Sequence, residues 1–177
     1  PDGSLYIGDH GNHRIRKVSP DGIITTVAGG GLYGTQELEG VPATEVALNH
    51  PATIEVDKDG TIYFSDGQTD RVRLVTPDGI IRNFAGKYRT WSDRRYGGDG
   101  GLATEANIIA PPGIAISPGK AIYISDEITG VMRKIEKPLP SISLSDYVIP
   151  SEDGAELYIF NYKGKHLNTK DALTGLN

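Results

Sequence analysis

Three aspartates fall at one position of a recurring pattern: Asp9, Asp66 and Asp126 each close a short apolar stretch built around a tyrosine. Carboxylates repeated once per unit could gather calcium, which takes several oxygen ligands. The simpler use of such a residue is to accept backbone N–H bonds in the next turn, and that is the reading adopted. The histidines are His10, His13, His50 and His166. A zinc centre needs three or four converging ligands. His10 and His13 stand in a turn whose next copy carries Gly67 and Asp70, and cysteine is absent, so both are read as turn residues and no metal or cofactor is expected. The glycine-rich stretch Gly97–Gly101 could cradle a phosphate, yet no Lys-Ser/Thr follows it. An acid–base pair fares no better, because Glu55 and Asp57 have Ala115 and Ser117 at the matching positions of the next copy. No catalytic residue is assigned, and the chain is expected not to be an enzyme.

One loop departs from the repeat. Lys87 to Tyr96 holds the single tryptophan, and its Tyr88, Arg89, Trp91, Arg94, Arg95 and Tyr96 are of the types that dominate protein-contact hot spots. They form the candidate binding residues. In the competing reading Trp91 and Tyr96 pack against a neighbouring unit and the arginines are solvated.

The elements that position these residues follow from internal repetition. Residues 1–29 align without a gap on residues 58–86: an Asp-Gly turn, a strand centred on Tyr6 or Tyr63, a second strand (Arg14–Val18, Arg71–Val75), a Pro-Asp-Gly turn, and a third strand ending in Ala-Gly. A third copy is legible in Ala121–Asp126 and Val131–Ile135, and a fourth strand repeats in Leu48–Asp57 and Ile108–Ser117. Alternating apolar residues with a turn every ten residues or so describe antiparallel strands, four to a unit, in which Pro presets φ, Asp bonds its own backbone and Gly accepts positive φ. With 23 Gly and 11 Pro the composition agrees. The predicted fold is all-β, and the one helical turn expected is Gly101–Ala106.

These motifs carry a family resemblance. Asn12-His13-Arg14-Ile15, the Ile-Tyr-x-x-Asp strands, Pro-Asp-Gly-x-Ile and the Gly97–Ala106 stretch resemble the NHL repeat, over about residues 1–137. The pattern departs from it at Thr69-Asp70 and in the missing third Pro-Asp-Gly turn. The resemblance implies β-propeller blades, about three of them, the first and last incomplete. Such propellers close with about six blades, so further blades N-terminal to Pro1 are expected. Residues 138–177 form a second segment: a linker or degenerate fourth strand over Pro138–Ser145, then Leu157, Tyr158, Ile159, Phe160 and Tyr162 alternating along a strand before a Lys163-Gly164 turn. With Asp153-Gly154, Gly164–Leu167 and Leu173-Thr174-Gly175, this segment is similar to the junction where a propeller meets the YD-repeat shell of Rhs, Tc-toxin and teneurin proteins. A C-terminal β-hairpin opening that shell is expected.

The resemblance implies a non-catalytic propeller segment that supports or caps a YD-repeat shell and presents loops to partners. Those partners are its own propeller and shell, with a protein receptor or an encapsulated effector besides. Two rivals stand beside it: an RNA-binding NHL propeller, and a propeller hydrolase or lyase with a channel metal. A formal net charge of −5 and aromatics that do not recur from unit to unit argue against nucleic acid. No apolar run is long enough to span a membrane. Export or display at the cell surface follows from the resemblance, and the lack of cysteine and of Asn-x-Ser/Thr sequons leans towards a bacterial or archaeal origin.

Overall fold

The turns explain why the strands begin and end where they do. After β4 (Pro51–Val56), Asp57 Oδ1 accepts the N–H groups of Asp59 and Thr61, both at 2.9 Å, and Gly60 at φ 87° turns the chain into β5 (Ile62–Asp66). Ser117 does the same work in the next copy, its Oγ accepting Ala121 N–H at 3.0 Å, with Lys120 held at φ 65° where the earlier turn has glycine. The Pro-Asp-Gly turns are closed by hydroxyls: Ser19 Oγ and Thr76 Oγ1 each accept the N–H group four residues on, at 3.2 Å.

The computed structural model describes residues 2–32, 37–87, 96–135, 147–151, 156–160 and 166–171. The chain divides into two compact units, Pro1–Ile135 and Glu136–Asn177. In the first, β1 (Leu5–Asp9), β2 (Arg14–Val18) and β3 (Ile24–Gly29) form an antiparallel sheet in sequence order. The complete sheet is the second, where β4 and β5 are followed by β6 (Arg71–Val75) and β7 (Ile81–Ala85). A third sheet joins β8 (Gly113–Ile116), β9 (Ile122–Ser125) and β10 (Met132–Ile135). Every pairing among them is antiparallel. The ladder slips by one residue at Ile15/Arg16 and again at Val72/Arg73, a bulge kept at one repeat position.

Two apolar layers join these three sheets. Ile15 and Ala28 of the first sheet meet Ile62, Phe64, Val75 and Ile81 of the second, with Ala43, Val46 and Leu48 between them. On its other face the second sheet offers Tyr63, Val72 and Ala85 to Ile114, Ile122 and Ile124 of the third, over Ala106 and Ile108. Sheets that bury both faces in this way are propeller blades, and the sheets do not close into a ring.

The helical turn expected at Gly101–Ala106 is a single 3-10 turn, Ala103–Glu105, and it has a twin at Ala43–Glu45. Both sit where the chain passes between sheets, and Ala43 and Ala103 pack into the two layers. Among the described residues no helix is long and apolar enough to cross a membrane.

The second unit contains a three-stranded antiparallel sheet, β11 (Tyr147–Pro150), β12 (Glu156–Phe160) and β13 (His166–Asp171), so a further strand joins the expected hairpin. Tyr158 OH donates to Glu156 Oε2 at 2.9 Å. The degenerate strand over 138–145, Tyr162 and the Lys163-Gly164 turn lie outside the described residues.

Candidate functional site

The side chains with chemistry to offer gather at the seams between sheets. Asp66 and Asp126, at one repeat position, are buried at the ends of their strands. Asp66 Oδ1 accepts Asn49 N–H at 2.6 Å, and Asp126 Oδ2 accepts Ile109 N–H at 2.9 Å. Asp126 Oδ1 also takes Thr129 N–H, in the following turn, at 3.0 Å. These carboxylates therefore accept backbone N–H bonds, in the preceding loop as well as in the turn ahead. Asp9, the first of the series, accepts from Asn12 Nδ2 at 2.8 Å.

A second repeated position escaped the sequence reading. Arg73 is completely buried, yet it reaches the loop before β4: Nη2 donates to Leu38 O at 2.7 Å and lies 3.5 Å from Glu39 Oε1, and Nη1 is 3.9 Å from Asp66 Oδ2. Burial depresses the Arg73 pKa to about 10, which leaves it charged at neutrality, and burial raises that of Asp66 despite the nearby guanidinium. Sixty residues on, Arg133 repeats the clamp, with Nη1 on Asn107 O at 2.7 Å, Nη2 on Gly97 O at 3.2 Å and on Asp99 Oδ1 at 2.5 Å. Sequence could have flagged this, since Glu39 and Asp99 are also sixty residues apart.

Of the six candidate binding residues only Tyr96 is described; Tyr88, Arg89, Trp91, Arg94 and Arg95 lie outside the described residues. Tyr96 belongs to the Arg133 clamp. Its hydroxyl donates to Asp99 Oδ2, which raises the Tyr96 pKa and lowers that of Asp99, and the Arg133 guanidinium lies 5.2 Å from its ring centre.

The structure also brings a distant third histidine, His50, to the turn that holds His10 and His13. His50, from the loop before β4, packs against His10 and His13, with both ring-centre distances 4.5 Å. His50 N–H donates to His13 Nδ1 at 3.3 Å, and His50 Nδ1 is 2.9 Å from Asn49 Oδ1. Burial, then the neighbouring His13 and His10, lower the pKa of His50. Among the described residues no group of three or more ligand-type side chains converges as a metal site. His166 is in the second unit, its ring centre 6.2 Å from that of Tyr158.

A groove of about 610 Å³ opens between the first and second sheets, lined in part by Asp2, Tyr6, Lys17, Lys58, Asp59 and Thr76. Lys17 is tied to Asp2 at 2.8 Å, and Asp59 to Lys120 at 2.6 Å. Asp2, Lys17 and Asp59 of the groove lining are thus held in ion pairs. Asp57, half of the acid–base pair that the repeat fails to keep, is likewise committed to its turn.

No family model matches the chain. It is 30% identical over 186 residues to Teneurin-m of Drosophila melanogaster and 29% identical over 189 residues to Teneurin-3 of Mus musculus, covering 98% of this chain in each case. The chain spans 7% of the length of these curated relatives. Both are animal proteins, so they lend no support to a bacterial or archaeal origin. A structural genomics protein of unknown function from Bacteroides thetaiotaomicron superposes with a TM-score of 0.61 at 24% identity, covering 75% of this chain and 32% of that one; the likeness is one of fold. Together these findings make the chain a teneurin-like segment with NHL-type propeller blades.

Proposed function

We propose that this teneurin-like segment is a non-catalytic scaffold, whose blades dock on further blades of a large YD-repeat protein displayed at the cell surface and hold loops out for protein contact. One observation carries it. At a single repeat position, Ile62 and Phe64 are 6% and 0% exposed and Ile122 and Ile124 are 3% and 0% exposed, each pair being covered by the preceding sheet. Their counterparts on the first sheet, Leu5 and Ile7, are 62% and 38% exposed. Ile24, the counterpart of the buried Ile81, is exposed as well. This face has the shape and apolar character of a blade-docking surface, and a soluble protein seldom leaves such a patch to water. Supporting the same reading, the polar groups at the seams are engaged with backbone: Asp66, Asp70 and Asp126 accept main-chain N–H bonds, and Arg73 and Arg133 donate to main-chain carbonyls.

The test uses the full-length protein. Leu5→Asp with Ile7→Asp should lower its melting temperature, while Trp91→Ala with Arg94→Ala should leave melting unchanged and weaken capture of a partner. An unchanged melting temperature in the first variant would remove the docking reading, and unchanged partner binding in the second would remove the loop. Lactone hydrolysis or a tightly held divalent ion in the full-length protein would favour an enzyme instead.

A further inference from the structure

His13 and Asp70 occupy one repeat position and do one job with different chemistry. Each ends a 3-10 turn at φ 55°, in the left-handed region. Each side chain then accepts a backbone N–H from the loop leading into the next sheet, where the donor also has positive φ: His50 N–H to His13 Nδ1 at 3.3 Å, and Ala110 N–H to Asp70 Oδ1 at 3.0 Å. The two seams are thus latched alike, the first by an imidazole and the second by a carboxylate.

The acceptors respond to acid differently. An ordinary carboxylate keeps its lone pairs down to about pH 4. An imidazole accepts through Nδ1 only while that nitrogen is unprotonated; the imidazolium is a donor at both nitrogens, and an ordinary imidazole takes its proton near pH ~6.5. We propose that the seam between the first and second sheets is an acid-sensitive latch, opened when His13 gains a proton, whereas the seam between the second and third sheets is not.

The surroundings favour this. On the His13 side stand His10 and Arg14, with Asp9 turned onto Asn12 Nδ2. Across the seam stand His50, Asn49 and Gln68, with Asp66 turned onto Asn49 N–H. Both carboxylates have other partners, and the ring nearest His13 is another imidazole. A cation formed on His13 therefore faces His50 and His10. The lowered pKa of His50 has the matching sign: a folded state that resists protonation loses stability as pH falls through the imidazole range.

Hydrogen exchange of the full-length protein between about pH 7.5 and about pH 5.5, corrected for intrinsic rates, tests this at the His50 amide, with the Ala110 amide as internal reference. Acidification should increase opening at His50 roughly five-fold, the worth of one hydrogen bond, and leave Ala110 unchanged. His13→Asn and His13→Asp suit the left-handed backbone and keep an acceptor across this range, so both should abolish the response. A response at His50 that survives in His13→Asn, an equal response at Ala110, or a flat wild-type profile would each overturn the proposal.

Discussion

Arg73→Met tests the seam clamp directly. Methionine replaces the buried arginine with an apolar chain of similar length, so packing is largely kept. What disappears is a guanidinium 3.9 Å from Asp66 Oδ2 and bonded at 2.7 Å to Leu38 O. At an effective dielectric of about 20 the Asp66 attraction alone is worth about 4 kcal/mol. Arginine's desolvation is recovered, but a carboxylate remains buried and uncompensated, and breaking one side of such a pair costs about 3–5 kcal/mol net. For a chain of this size that corresponds to a fall in melting temperature of about 10 °C. The pH dependence has a definite sign. Burial already raises the Asp66 pKa, and removing Arg73 raises it further, so the variant is least handicapped where Asp66 is protonated and loses stability as pH rises through the Asp66 pKa of the folded state. Urea denaturation of wild type, Arg73→Met, Asp66→Asn and the double variant, at neutral pH and at about pH 4.5, closes the cycle. Asp66→Asn should rescue part of the deficit of Arg73→Met at neutral pH. An Arg73→Met deficit below about 1 kcal/mol, or one that grows on acidification, would refute the clamp.

Two further outcomes are expected. Phe64→Ala should cost about 3–5 kcal/mol in urea denaturation, whereas Leu5→Ala, at the uncovered position, should cost less than about 1 kcal/mol in this chain; equal losses would contradict the difference in cover between the two faces. Gly86→Ala should cost about 2 kcal/mol or more by calorimetry, because Gly86 has φ 78° and an added Cβ would strike the Asp70 carbonyl oxygen. A near-neutral result there would deny the close approach of β7 to the turn before β6.

Strand order, turns and the stacking of one repeat on the next were legible because each rests on a local signal. Tyr6, Tyr63 and Tyr123 mark the same strand, and Asp57 and Ser117 stand where a turn needs a short acceptor. The clamp was not legible in the same way. In an alternating strand Arg16, Arg73 and Arg133 read as solvent-facing, and only the fold shows the bulge beside Arg73 and the acid that comes back to it from thirty-odd residues earlier. Thr69-Asp70 stood out as a departure from Asn12-His13, although position 70 keeps the acceptor function of position 13. The histidine cluster was hidden for a different reason: His50 is far from His13 in sequence and reaches it only across the seam, so no spacing rule could pair them.

The seams also explain why the repeat spends polar residues in its interior at all. Apolar layers attract without direction, and a sheet sliding over its neighbour would keep most of that burial. Side-chain bonds to single backbone groups do not tolerate sliding: Ala110 N–H to Asp70 and His50 N–H to His13 each run from one sheet's turn to the loop leading into the next sheet and match one offset. Asp66 to Asn49, Asp126 to Ile109 and Arg73 to Leu38 tie each sheet to the loop that leads into it. A one-residue slip would break the two bonds that cross the seams, and a buried acceptor left without its donor costs more than the small change in apolar burial that accompanies the slip. The hydrophobic pattern thus brings successive sheets together, the repeated aspartates and arginines hold the loop that leads into each sheet, and the acceptors His13 and Asp70 fix the register of one sheet on the next. That division suits the scaffold role proposed for the segment. It also places the imidazole of this pair of latches at the first seam, where a histidine takes the position that the next copy gives to aspartate.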